Sequence, residues 1–297
     1  MKTSSILTLA ATAALITSAS ASVTMDWVTV GNANNAAAAN GYGAVGYSYQ
    51  IGKYEVTNAQ YGAFLNAAAQ TDSYGLYNAS MSSYGITQSG SSGSYTYSVT
   101  SALANRPVVF VSWFDAARMA NWMMNGQGSG STETGAYTLN GATSGIITAN
   151  AEAQVYIPTE NEWYKAAYYN GGTSTYSTYS NGQNTITTAD ANYANSVGSA
   201  TDVGTYSSDP SMYGTFDQGG NVWEWNDAVN ASSRGRRGGA WNDTNSSTLA
   251  SSFRGGSGPS NANNNVGFRL ASVAVPEPSS LVLSVLASGA VLLRRKR

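Results

Sequence analysis

Cysteine and histidine are both absent from this chain of 297 residues. Without cysteine there can be no disulfide, no thiolate nucleophile and no soft metal ligand. Without histidine the chain also lacks imidazole ligands and the commonest general base near neutral pH. The two absences exclude most familiar catalytic constellations before any motif is considered.

Charge is scarce as well, because only 10% of the residues are charged. Five of the 14 basic residues lie at the two ends of the chain, which leaves nine basic against 15 acidic residues between positions 22 and 275. A basic surface for nucleic acid is therefore not expected. A surface rich in Tyr, Ser, Asn and Gly is more typical of an extracellular protein than of a cytosolic enzyme.

The first 21 residues have the pattern of a secretory signal peptide. Lys2 precedes an apolar stretch from 6 to 16, and the small residues Ala19-Ser20-Ala21 follow it. We expect cleavage after Ala21, with a mature domain over residues 22–275 outside the cytoplasm. A buried N-terminal helix is the alternative.

The other end combines Pro276-Glu277-Pro278, an apolar run from 281 to 293 and four terminal basic residues. The run is short against a hydrocarbon core of about 30 Å, so it predicts a transmembrane helix that anchors weakly and transiently. Residues 276–297 resemble the PEP-CTERM sorting signal. The resemblance implies removal by an exosortase during delivery to the cell surface or extracellular matrix, and an ordinary tail anchor is the alternative.

Capping boxes predict three helices, because a Ser or Thr is followed three residues later by a residue that can complete the cap. The boxes are Thr57 with Gln60, Ser112 with Asp115 and Thr159 with Glu162, and the helices are expected to reach Ala69, Met124 and Tyr169. Short strands are predicted at 27–30, 47–53, 106–111 and 155–158, with a hairpin inside 75–104 and loops over 170–204. The pattern indicates an α+β domain.

Six motifs follow one another along the chain: Gly52 to Asn58, Pro107 with Val111-Ser112-Trp113, Ile157 to Trp163, Gly220 to Trp225, Arg237 to Trp241, and Gly267-Phe268-Arg269. In this order they resemble the formylglycine-generating enzyme (sulfatase-modifying factor) family over about residues 27–273. The resemblance implies a loop-rich, C-type-lectin-like α+β fold with small antiparallel sheets and about three helices.

Glu224 lies between two tryptophans in an extended segment, so Trp223 and Trp225 are expected on one face and the carboxylate on the other. A carboxylate buried among rings and carbonyls needs a cation, and calcium prefers such oxygen ligands. The alternative is an ion pair with Arg237 or Arg269.

The resemblance also implies two calcium sites. The first would use the side chains of Asp217 and Glu224 with the carbonyls of Gly220 and Val222. The second would use Asn192 and the carbonyl of Tyr193, and Asp202 is a further candidate ligand.

The family's oxidase chemistry does not carry over. Two cysteines bind copper in the family, and by spacing Asp243 lies near the first cysteine position and Thr248 near the second. Neither side chain can replace soft thiolate ligation, so no copper and no catalytic residue is expected. The related iron chemistry requires histidine and is excluded as well.

Three hypotheses for function follow. The leading one is a calcium-stabilised recognition domain for glycan or extracellular polymer, with ring contacts from the tyrosines of 75–97 and 168–179. The second is an enzyme using oxygen-based groups such as Asp243 and Arg254, and the third is a purely structural surface protein. Glu160 and Glu162 are expected to serve the helix start rather than to act as a glycosidase pair.

Overall fold

The computed structural model describes residues 22–274. The predicted signal peptide and the predicted sorting segment at 276–297 lie outside the described residues. Within residues 22–274, no helix is both long enough and apolar enough to cross a membrane.

The three predicted helices are all present, and each begins at its predicted capping box. They are α1 (Asn58–Ala68), α2 (Trp113–Met124) and α3 (Glu160–Tyr168). In each box the Ser or Thr side chain accepts the backbone N–H three residues on, and that third residue's side chain accepts the cap's own N–H. Short 3-10 helices occur at Ala79–Tyr84, Ser101–Leu103 and Ser246–Leu249.

Twelve short strands in the described part form two sheets of four strands and two small hairpins. The strands are β1 (Trp27–Val30), β2 (Tyr49–Gly52), β3 (Ile86–Ser89), β4 (Thr96–Val99), β5 (Val155–Tyr156), β6 (Tyr169–Asn170), β7 (Thr175–Tyr176), β8 (Trp223–Asn230), β9 (Ser233–Arg237), β10 (Gly255–Ser257), β11 (Val266–Gly267) and β12 (Ala271–Val273). The first sheet has the order β1-β2-β12-β5 and the second β10-β9-β8-β11, in which only β11 runs parallel to its neighbour. The α+β architecture with small, mainly antiparallel sheets is confirmed.

One predicted strand is wrong. Residues 106–111 make only an isolated bridge between Pro107 and Thr57. The chain then turns at Phe110, whose φ of 59° is outside the β region. A hydrogen bond of 2.9 Å from the Phe110 N–H to the Asn263 carbonyl accompanies this turn. A long-range contact therefore overrides the local β preference of the Val-Val-Phe-Val run.

The main core lies between α1, α2 and the Trp225 face of β8. Phe64 of α1 packs on Trp122 of α2 with ring centroids 5.3 Å apart. Trp225 is fully buried and donates from its indole N–H to the Val111 carbonyl at 3.0 Å. The segment just before α2 thereby holds Trp225 in this core, and Glu224 faces the other side of β8.

Stability should depend on pH through the Asp115 carboxyl at the start of α2. Burial raises the pKa of Asp115 from 3.8 to about 7, although hydrogen bonds from Ser112 lower it. The folded state then binds this proton more tightly than the unfolded state does. The resulting stabilisation is complete below about pH 4 and is lost as the pH rises to about 7.

Asp115→Asn should remove this part of the pH dependence. The free energy of unfolding, measured by urea denaturation from pH 4 to pH 8, should fall less steeply for the variant than for the unchanged chain. Asp209→Asn, at a partly exposed loop carboxyl, serves as the control. Equal slopes for all three proteins would contradict the prediction.

Candidate functional site

The centre of the site is β8, which alternates as predicted. Arg236 lies over the rings of both Trp223 and Trp225, at 5.6 and 5.8 Å, so the two indoles share one face of the strand. Glu224 lies on the opposite face and is completely buried. The short-range pattern of the motif therefore placed the carboxylate correctly.

Glu224 forms an ion pair with Arg269. This is the alternative to calcium that the sequence left open. The Arg269 guanidinium donates from Nε and Nη2 to the two carboxylate oxygens at 2.6 and 2.7 Å. The indole N–H of Trp163, on α3, donates to Oε2 at 2.7 Å. Both oxygens of Glu224 are thus bonded. Arg237, the other candidate partner, pairs with Glu160 instead.

Two further carboxylates face the same guanidinium. The Glu55 side chain is 1% exposed, and its Oε2 lies 4.0 Å from Arg269 Nη2 without any hydrogen bond. Burial raises the pKa of Glu55 well above its ordinary value, and the Asp217 carboxylate raises it further. Burial also raises the pKa of Asp217 to about 6, against a hydrogen bond of 2.6 Å from the Gly204 N–H.

The sequence prediction missed Glu55. Glu55 lies within the family motif Gly52 to Asn58, just before the cap of α1, and no role was assigned to its carboxylate. A signal was available, because Glu55 is an acidic residue flanked by buried positions just before a helix cap. A charge in such a place must find a partner, so the sequence could have indicated a buried polar contact here. Asn221 supplies one part of it, donating from Nδ2 to Glu55 Oε1 at 3.1 Å.

The residues predicted for the second calcium site contact those predicted for the first calcium site. The Asn192 carbonyl accepts the Asn221 N–H at 2.8 Å, and a Cβ on Gly220 would lie 2.4 Å from that same oxygen. Asn192 Oδ1 is buried and has no hydrogen-bond partner. The Tyr193 carbonyl accepts from Ser196. Asp202 is exposed.

Glu160 and Glu162 each make structural contacts, and their partners are different. Glu162 completes the cap of α3 and accepts from the hydroxyls of Tyr47 and Tyr156 at 3.0 and 2.8 Å. Glu160 accepts from Arg237 at 2.9 Å and from Arg254 at 2.8 Å. Two cations and a helix cap engage these carboxylates, which supports the structural interpretation over a glycosidase pair.

Comparison with known proteins gives the family. Residues 16–274 match the model of the sulfatase-modifying factor enzyme 1-like domain. The chain belongs to the sulfatase-modifying factor family. A comparison with curated proteins gave no match.

Two solved structures resemble this sulfatase-modifying factor domain over nearly their whole length. Treponema denticola variable protein 1 is 23% identical, with a TM-score of 0.59 and coverage of 86% of this chain and 98% of that one. CarF is 22% identical, with a TM-score of 0.60 and coverage of 85% and 99%. At these identities the likeness shows the fold alone.

In this sulfatase-modifying factor domain, the two positions assigned by spacing to the family's cysteines lie close together. A Cβ on Gly239 would be 3.1 Å from Thr248 Oγ1 and 3.3 Å from Asp243 Oδ2. Asp243 accepts the Ala240 N–H at 2.8 Å, which closes the loop after β9. Thr248 bonds the Asn245 carbonyl at 3.1 Å. Both side chains thus hold the loop conformation.

Proposed function

We propose that this chain is an exported recognition module that binds glycan or another extracellular polymer, without the thiol-dependent oxidation of its family. The proposal is supported by the absence of cysteine from the chain, and by Asp243 and Thr248, which by spacing lie near the positions of the copper-binding cysteines and hold a loop there. Their hard oxygens cannot reproduce thiolate ligation of copper. Long loops on a rigid base also suit ligand display. Delivery by an exosortase to the cell surface or matrix is part of the proposal.

The proposal is tested with the chain from residue 22 to 275 and the extracellular polysaccharide of the cells that produce it. We expect the protein to co-sediment with the polysaccharide and to leave a cysteine-containing peptide unchanged when copper and oxygen are supplied. Mass spectrometry of the peptide provides the second readout. Formylglycine in the peptide, or no association with the polysaccharide, would contradict the proposal.

Calcium stabilisation remains a proposal for one of the two predicted sites. The first set does not fit as arranged, because both oxygens of Glu224 are already bonded to Arg269 and Trp163. The second set fits better, because Asn192 Oδ1 is a buried oxygen without a partner. Calcium takes such amide oxygens together with main-chain carbonyls. Asn192 and Tyr193 are therefore the residues that would hold the ion.

Calcium removal should lower the melting temperature of the chain. A ligand at about 100 times its Kd stabilises the folded state by about 2.7 kcal/mol. Chelation removes that stabilisation, so the protein melts at a lower temperature. Asn192→Ala should abolish the response, while Asn261→Ala, at an exposed asparagine, should keep it. Differential scanning calorimetry with and without chelator gives the result. Identical melting temperatures for the unchanged chain in both buffers would sink the proposal.

A further inference from the structure

A groove beside Tyr74 stands apart from the charged site around Glu224. It has a volume of about 260 Å³ and lies between the start of α2 and the loop that precedes the first 3-10 helix. The residues that line it include two aromatic ones, Tyr74 and Phe110, and three polar ones, Asn78, Ser112 and Asp115. Tyr74 also lines a second cleft, of about 450 Å³. The tyrosine is therefore shared by two adjoining spaces.

The Tyr74 ring is held in place by a buried arginine that contacts it. The Arg118 guanidinium lies 4.2 Å from the ring centroid. Arg118 is fully buried and is itself fixed by Glu133 at 2.7 Å and the Ala142 carbonyl at 2.9 Å. Asp72 accepts the N–H of Leu76 at 2.7 Å, which fixes the loop carrying Tyr74. A ring positioned in advance loses little conformational entropy when it contacts a ligand.

The polar side of the groove has an unused acceptor. Asp115 is 6% exposed and lines the groove. Its Oδ2 accepts from the N–H and the hydroxyl of Ser112, both at 2.7 Å. Its other oxygen has no hydrogen-bond partner among residues 22–274. Because Ser112 already anchors the carboxyl, this second oxygen is oriented in advance for a ligand hydroxyl.

Phe110 completes the apolar wall in an uncommon backbone conformation. Its φ of 59° is rare for a bulky residue. Its ring meets Tyr84 edge-on at 5.2 Å. With Tyr74, it gives the groove aromatic surface beside hydroxyl, amide and carboxyl groups.

This combination selects the chemical class of the ligand. A pyranose ring has an apolar C–H face for aromatic contact and hydroxyl groups for hydrogen bonds. The groove is lined by no Lys or Arg, and its only acidic group is the Asp115 carboxyl. An acidic sugar would place its negative charge beside this carboxyl, and the nearest guanidinium, that of Arg118, lies against the Tyr74 ring and is already paired with Glu133. Such an arrangement is unfavourable.

We propose that the groove beside Tyr74 binds an uncharged hexose unit of a polysaccharide, with the sugar face on the Tyr74 ring and a hydroxyl donating to Asp115. The inference rests on the proposed function, since it names the site and the sugar class of that recognition. The second cleft that Tyr74 lines provides room for the next unit of the polymer. The groove is distinct from the loop that holds Asp243 and Thr248.

The experiment is isothermal titration of the chain from residue 22 to 275 with tetrasaccharides. The neutral probes are tetramers of glucose, mannose and galactose, and the acidic probe is a tetramer of galacturonic acid. Tyr74→Ala should weaken binding of the preferred neutral probe about tenfold, the loss typical when an aromatic anchor is truncated. Asp115→Asn keeps an oxygen for the Ser112 bonds and should also weaken binding.

Tyr206→Ala is the matched control, because Tyr206 is also partly exposed but lies outside both clefts. Its affinity should equal that of the unchanged chain, and melting temperatures verify that all variants fold. Preference for the acidic probe, or neutral binding insensitive to both groove variants, would overturn the assignment of this groove. If the native polysaccharide is bound but no neutral tetramer is, the groove is wrong while the proposed function stands. If neither is bound, both fail.

Discussion

Arg269→Met is expected to lower the free energy of unfolding by about 3–5 kcal/mol, the range for removing one partner of a buried ion pair. Arg269 and Glu224 are both completely buried, so solvent cannot replace the lost bonds. The variant also leaves Glu55 and Asp217 near a carboxylate that has lost its counter-ion. Two buried carboxylates and the partly exposed Asp217 would then lie together without a guanidinium.

The measurement is chemical denaturation of the chain from residue 22 to 275. Arg254→Met is the matched control, because Arg254 is 28% exposed and Glu160 keeps Arg237 when it is removed. Loss of such a partly exposed pair changes stability by about 0–1 kcal/mol. The double variant Arg269→Met with Glu224→Gln should recover part of the loss, since it removes the unpaired charge. An Arg269→Met protein as stable as the control variant would refute the assigned role.

The helices were predictable because their decisive contacts are local. Each box joins a cap to the residue three positions later, so the sequence contains both partners within four residues. The Ser112–Asp115 box is an example in which both reciprocal bonds occur as predicted. The predicted ends at Ala69 and Tyr169 are each one residue too long, which is within the usual uncertainty of helix boundaries.

The strand predicted at 106–111 failed because distant residues decide its backbone. Val108 donates to Val56, whereas Phe110 donates to Asn263, so the chain changes partner within two residues. Nothing in the Val-Val-Phe-Val pattern reveals this change. The hairpin of β6 and β7 was likewise missed, because strands of two residues are too short for a periodic signal.

At the site, the sequence predicted the orientation of Glu224 but not its partner. Alternation along β8 is a local property, whereas the choice between Arg237 and Arg269 depends on how distant strands meet. Arg237 lies on β9, directly opposite Glu224 in the sheet, yet its side chain reaches Glu160. Arg269, which follows β11, makes the pair. Register alone would have favoured the wrong arginine.

Gly220→Ala should destabilise the chain more strongly than an alanine at an unhindered glycine of similar φ. Gly220 has a φ of 87°, and a Cβ there would lie 2.4 Å from the Asn192 carbonyl oxygen. A left-handed backbone costs an alanine about 1–2 kcal/mol. The overlap with the Asn192 backbone should add about 1–3 kcal/mol, as overpacking does in dense interiors.

Gly214→Ala separates the two effects, because Gly214 has a φ of 83° and open space where its Cβ would be. Urea denaturation of both variants should give a loss of about 1–2 kcal/mol for Gly214→Ala, from backbone strain alone. The additional loss of unfolding free energy in Gly220→Ala then measures how much the close approach between Asn192 and the turn before β8 matters for stability. Equal losses would mean that the turn moves away freely, and the close contact between the two predicted calcium sets would have no energetic importance.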